Sequence, residues 1–217
     1  MPSFPNESKE YRKKRDELLE AESGLREELE RVAAMRRRLP LGGEVKNDYV
    51  FESSDGPVRL SELFENGKKS LLVYSYMYGP DMKNSCPLCT AFLDSVNGHM
   101  HHIRQKMNMV VVARSPIERI MRFAASRNWD KLPLLSSASN DFNRDYHAED
   151  KNGNQWPMAN VFVKREDKVF HFWGSELLFE EFENGDRRHV DLLWPLWNFF
   201  DLTPEGRGEN WYPSLDY

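Results

Sequence analysis

Apolar residues near the N-terminus recur in sevens: Leu18, Leu25, Val32 and Leu39 stand in a heavily charged stretch, with Ala21, Leu29 and Met35 close to the same face. The spacing predicts one long helix over residues 7 to 38 with a narrow apolar stripe. Gly24 weakens such a helix by about 1 kcal/mol relative to alanine, and opposite charges three or four residues apart return tenths each. In "RRRLPLGG", Pro40, Gly42 and Gly43 end it, and the arginines suit its negative pole. The stripe must cover something, either the body of the same protomer or the matching helix of a second one, so residues 1–38 form a charged arm and a candidate homodimer contact.

Beyond the linker the period changes. "DYVFES" reads as a short strand, "SDGP" as a turn and "VRLSELFENG" as a helical turn with Ser61 as its cap. The β-branched and aromatic residues of "KSLLVYSYMY" predict a buried strand over residues 70 to 78. From Pro87 onward Phe92, Val96, Met100, Ile103 and Met107 take helical spacing. "MNMVVVAR" is then a strand, and "SPIERIMRFAASRN" a helix with Ser115 as cap and Pro116 at its first position. "LPLLSS" is a short strand, "NDFNRDYH" a helical turn, "NVFVKR" and "VFHFWG" a strand pair, and "HVDLLWPLWNFF" a last helix before the irregular "DLTPEGRGEN". Strands alternating with helices predict a three-layer α/β domain over residues 39–217, its central mixed sheet closed by an antiparallel edge.

Composition narrows the class. In a chain of 217 residues, 40% are hydrophobic and 30% charged, which suits a globular protein able to bury a core. A net charge of −5 gives no general pull toward nucleic acid or anionic lipid. The basic "YRKKR" is interleaved with acids and lacks a stacking pattern, so neither nucleic acid nor membrane is an expected partner. The N-terminus lacks a secretory apolar core, and no run approaches the roughly 18 apolar residues of a membrane span, so a cytoplasmic location is expected.

In that reducing compartment a close pair of cysteines points to redox or metal chemistry more than to a structural staple. Cys86 and Cys89, the only two in the chain, stand where the strand hands over to a helix N-terminus. There the first thiol is favoured as a thiolate by free N–H groups and the helix dipole, and Pro87 presets the helical φ. Cys86 is thus the candidate attacking sulfur and Cys89 the resolving one. Zinc is an alternative that needs further ligands from His99, His101 and His102, which a continuous helix places roughly 15 Å away. Two cysteines packed as small hydrophobes are the other.

Taken in order, "DYVF", "YMYGPD....CPLC", "NDFNRDY", "VFVKR..KVFHFW" and "DLTPEGR" resemble a widespread, largely uncharacterised bacterial family described as predicted dithiol-disulfide oxidoreductases with a thioredoxin-like fold. The similarity runs from about residue 39 to 209. It implies a thioredoxin-like sandwich with Cys86 and Cys89 at the C-terminal end of the central strand. The wider superfamily includes peroxiredoxins, but their threonine three before the reactive cysteine is replaced by Lys83, and Pro80 lies six residues before it, one short of the usual spacing. Pro157 comes about three residues too early to match the thioredoxin cis-proline, which leaves Met158 or Ala159 to face the sulfur.

Other candidates lie nearby. Of Tyr74, Tyr76 and Tyr78, the last is closest to the cysteine loop and is expected, with Pro80, to line the site. Asp81 is a candidate proton carrier for a leaving thiol. Trp156, Trp173, Trp194 and Trp197 suggest an aromatic cluster, and Arg207 an anchor for a carboxylate. The expected activity is thiol-disulfide exchange with a protein or small-molecule disulfide or dithiol, regenerated by an unidentified reductant, with no cofactor and no metal. A thiol peroxidase and a noncatalytic thioredoxin-like binding module are the alternatives.

Overall fold

Ser8 opens the first helix by accepting the Tyr11 N–H on its side chain at 3.0 Å. Helix α1 (Lys9–Arg37) then runs for 29 residues, laced by pairs such as Arg12–Asp16 and Arg31–Glu28, and buries none of its residues. The computed structural model describes residues 3–179, 195–204, 206 and 212–215. It divides into two units, Met1–Pro40 and Leu41–Tyr217.

In the larger unit seven strands form one mixed sheet: β1 (Val50–Ser53), β2 (Gly56–Arg59), β3 (Ser70–Ser75), β4 (Asn108–Ala113), β5 (Leu134–Ser136), β6 (Met158–Arg165) and β7 (Lys168–Gly174), in the order β2-β1-β5-β4-β3-β6-β7. Strands β3, β4 and β5 are parallel, while β6 and β7 add an antiparallel edge on one side and β1 and β2 on the other. The helices between them are α2 (Pro87–Lys106), α3 (Ile117–Ser126) and the single turn α4 (Phe142–Asp145); α5 (Pro195–Phe200) follows the sheet. This is the thioredoxin-like α/β sandwich expected from the sequence.

Side-chain alternation along β3 splits the core. Leu72 and Tyr74 face α2 and α3, where Phe92, Leu93, Val96, Met100, Ile120 and Ala124 pack, whereas Leu71 and Val73 face Phe51, Leu60, Phe142 and Phe162. Each fully buried side chain of this size contributes roughly 1.5–3 kcal/mol. The cysteines belong to the first of these layers.

Several local expectations are corrected. The buried strand ends at Ser75 rather than at 78, because Tyr78 N–H turns back to the Tyr76 carbonyl at 2.8 Å and takes the chain out of the ladder. Val58 and Arg59 belong to β2, followed by a 3-10 turn, Leu60–Leu63, that starts after Arg59 and not at Ser61. Ser61 donates its hydroxyl to Asp48 Oδ2 instead, at 2.8 Å. Likewise Ser115 does not cap α3: its hydroxyl goes to the Gly79 carbonyl at 3.1 Å, and Pro116 takes the cap position. One aromatic cluster is formed by Tyr76, Tyr78, Phe123 and Trp129 and another by Tyr49, Phe51, Phe142, Tyr146 and Phe162; of the tryptophans expected to cluster, Trp156 meets Phe179 and Trp173 packs on the core layer of the cysteines. Trp194, Arg207 and the Trp197 side chain lie outside the described residues. Among the described residues no helix is long and apolar enough to cross a membrane.

Candidate active site

Cys86 caps helix α2, and Pro87 fills the helix's first position. The Cys86 sulfur accepts the Cys89 N–H at 3.4 Å, so it occupies the place where a serine or aspartate oxygen would satisfy an open helix end. Upstream, the Cys86 N–H is fixed on the Met77 carbonyl at 3.1 Å, which ties the helix start to the chain leaving β3. Both cysteines are free, and their side chains interact with one another. Cys86 is 9% exposed and Cys89 3%, so the first sulfur is the more accessible.

Their electrostatics diverge. The Cys89 thiol donating to it, followed by the backbone N–H groups of Cys89 and Leu88 and the side chain of Tyr212, outweighs burial at Cys86 and lowers its pKa to about 6. Burial pushes the Cys89 thiol well above its ordinary value, and the neighbouring Cys86 sulfur adds to this. The two sulfurs thus differ in acidity, Cys86 lowered and Cys89 raised.

Beneath the pair lies a chain of buried hydroxyls. Thr90 Oγ1 donates to the Cys86 carbonyl at 2.9 Å and meets Tyr76 Oη at 3.1 Å and Ser85 Oγ at 3.2 Å. Burial first, and the neighbouring Cys89 next, raise the Tyr74 phenol well above its ordinary pKa. Ahead of the pair, Arg119 of α3 gathers the loop. Its guanidinium donates to the carbonyls of Gly79 at 3.1 Å, Pro80 at 2.9 Å, Lys83 at 3.3 Å and Met82, and stands 4.3 Å from the centre of the Tyr78 ring.

The sequence-derived candidates separate on this frame. Tyr78 lies in the same buried layer as the cysteines, with its ring under Arg119. Pro80 and Asp81 are exposed in the turn between Gly79 and Met82. Ala159, opposite Tyr74 in the sheet, packs in the cysteine layer. Met158 does not face the sulfurs: alternation turns it to the other side of β6, where its sulfur accepts from Ser175 Oγ at 3.3 Å. Pro157 is not cis, since no cis peptide bond is present among the described residues. Helix α2 runs unbroken through Gly98 and leaves His99, His101 and His102 exposed. No three His, Cys, Asp or Glu side chains converge as a metal site among the described residues.

Three contributors were not evident from sequence. Thr90 had a usable signal, since it stands four residues after Cys86 on one helix and a threonine there reaches back to that carbonyl. Arg119 and Tyr212 had none, because distant folding alone brings them to the loop and the sulfur.

A model of the family described as "Bacterial protein of unknown function (DUF899)" matches residues 1–217, so the N-terminal helix is included along with the 39–209 stretch that carries the motifs. Among solved structures the chain is similar to peroxidoxin BcpB from Mycobacterium tuberculosis, at 21% identity and a TM-score of 0.48, covering 72% of this chain and 94% of that one. It is also similar to peroxiredoxin Q from Xanthomonas campestris, at 16% identity and a TM-score of 0.46, over 63% and 84% of the two chains. The exposed lipoprotein thioredoxin Etrx1 from Streptococcus pneumoniae matches at 15% identity and a TM-score of 0.42, over 57% and 85%. No curated protein matches.

Proposed function

The chain belongs to this bacterial family of unknown function, and we propose that it is a thiol-disulfide oxidoreductase working through Cys86 and Cys89. The supporting observation is the cap geometry: an acidified sulfur on a helix N-terminus, hydrogen-bonded to a second thiol within the same turn.

The reaction balances without a cofactor. Cys86 thiolate attacks one sulfur of a partner disulfide, and the other sulfur leaves as a thiolate that takes a proton from solvent. In the resulting mixed disulfide Cys86 is no longer an anion. The charge and hydrogen bond that kept the Cys89 proton in place are then gone, although the effect of burial remains. Cys89 loses its proton and attacks Cys86 Sγ, releasing the second partner thiol. The partner has gained two electrons and the chain carries a Cys86–Cys89 disulfide. An external dithiol reverses these steps and restores the pair.

Insulin reduction tests this with dithiothreitol as the regenerating dithiol. The chain is expected to accelerate insulin precipitation over dithiothreitol alone, and Cys86→Ser to lose that acceleration. Equal rates for the two chains would overturn the reading. Consumption of hydrogen peroxide faster than reduction of insulin would instead place the pair in peroxide chemistry.

A further inference from the structure

We propose that α1 is a dimerisation arm that pairs with α1 of a second copy of the chain as an antiparallel two-stranded coiled coil. This pairing does not depend on the chemistry at Cys86 and Cys89.

Over its 29 residues, about 43 Å of helix, α1 buries none of its residues. Its apolar positions stay open: Tyr11, Leu18, Leu25 and Leu29 are 49% to 61% exposed. At about 100° per residue these four fall within about 40° of one another, and Val32 lies about 20° further round. A helix that packs on a globular body carries an apolar face about 100° wide or more, whereas a stripe this narrow with a seven-residue repeat is the seam of a coiled coil. Its complement is a helix with the same repeat. Of the other described helices, α2 and α3 pack in the core and α4 and α5 are short, so that complement is α1 of another copy.

Flanking charge selects the antiparallel direction. One position before Tyr11, Leu18, Leu25, Val32 and Leu39 stand Glu10, Glu17, Gly24, Arg31 and Arg38, acidic in the first half and basic in the second. A two-fold axis at Gly24 sets Glu10 opposite Arg38 and Glu17 opposite Arg31 of the second copy, each pair occurring twice. A parallel pair would bring Glu17 against Glu22 and Arg31 against Arg36, like against like, leaving Glu10 and Arg15 as its attractive pair.

The seam is compatible with that axis. Tyr11 meets Met35 and Leu25 meets Ala21 of the second copy, while Val32 covers the aliphatic stem of Lys14. Leu18 falls beside Glu28, whose carboxylate turns to Arg31 of its own helix. On the other flank Arg15 comes near Arg36 across the pair, but it carries its own counter-ion, Glu22, at 3.1 Å. At the crossing point, a Cβ added to Gly24 would meet nothing within 4 Å in its own chain.

Sedimentation equilibrium of the full chain under reducing conditions tests the pairing. Wild type is expected to be a dimer and Leu25→Glu a monomer, because a carboxylate there is buried in the pair but not in the single helix. Near-UV circular dichroism, measured alongside, reports whether the sheet unit of each variant is folded. Glu17→Arg separates the two directions. In the antiparallel pair it sets a cation against Arg31 twice and is expected to raise the dimer dissociation constant about tenfold. Adding Arg31→Glu should return it close to the wild-type value. In a parallel pair the same Glu17→Arg change would relieve the clash with Glu22 and tighten the dimer. A monomeric wild type, a dimer that survives Leu25→Glu, or a dimer left unchanged or tightened by Glu17→Arg would overturn the proposal.

Discussion

The backbone N–H of Cys89 donates to the sulfur of Cys86 at 3.4 Å, so the peptide of one cysteine is capped by the side chain of the other. In the proposed exchange the residue that resolves the intermediate is thereby also one that prepares the attack. Cys89→Ser keeps that peptide and replaces the resolving sulfur with a hydroxyl that can still donate to Cys86. Incubated with a disulfide substrate, this variant is expected to accumulate a mixed disulfide at Cys86, seen as a reducible mass adduct. Release of the substrate thiol without an accumulating adduct would show that Cys89 is not the resolving group.

Stability should carry the opposed signature of the two sulfurs. Cys86 is held at about 6 in the folded chain, against about 8.5 when unfolded. Its stabilising contribution is therefore complete above about 8.5 and is lost as pH falls through the folded value. Cys89 is raised by burial, so above about 8.5 the unfolded chain ionises a thiol that the folded chain keeps protonated, and stability declines there. The difference in urea unfolding free energy between reduced wild type and the Cys86→Ala/Cys89→Ala chain is expected to rise from about pH 6 to 8.5 and fall beyond. A difference independent of pH would contradict both shifts.

Thr90→Val is expected to destabilise the chain by about 1–3 kcal/mol, because the buried hydroxyls of Tyr76 and Ser85 lose a partner and a small apolar group gives none back. Tyr76→Phe removes one end of the same chain, so the two changes together should cost less than their sum. Urea unfolding of the four members of this cycle measures the coupling.

Arg119→Met takes a charged donor from the carbonyls of Gly79, Pro80, Met82 and Lys83 and the cation from the Tyr78 ring. A loss of about 1–3 kcal/mol is expected, with faster hydrogen exchange across residues 79–86. Arg119→Lys should rescue little, since a single ammonium cannot reach along this row of acceptors as the planar guanidinium does. Unchanged exchange in the loop would show that Arg119 does not hold it.

What was legible in the sequence was what local pattern controls. The handover from β3 to α2 could be read from an aliphatic and aromatic run, a Gly-Pro break, Pro87 and the helical spacing of Phe92, Val96 and Met100. The misreadings have one cause. Ser61 and Ser115 have the chemistry of caps, but their hydroxyls are taken by Asp48 and by the Gly79 carbonyl, partners that only the fold supplies. Tyr76 to Tyr78 keep strand-like composition while the backbone turns out of the sheet to present the helix start. Similarly, Arg119 reads as an ordinary charged position on an amphipathic helix until folding sets it over the loop.

Whether Cys86 is an anion at neutral pH is measured by alkylating each cysteine across a range of pH and following the products by mass spectrometry. Cys86 is expected to react with a midpoint near 6 while Cys89 stays protected throughout the neutral range. A Cys86 midpoint at or above about 8.5, the value of a free thiol, would contradict it.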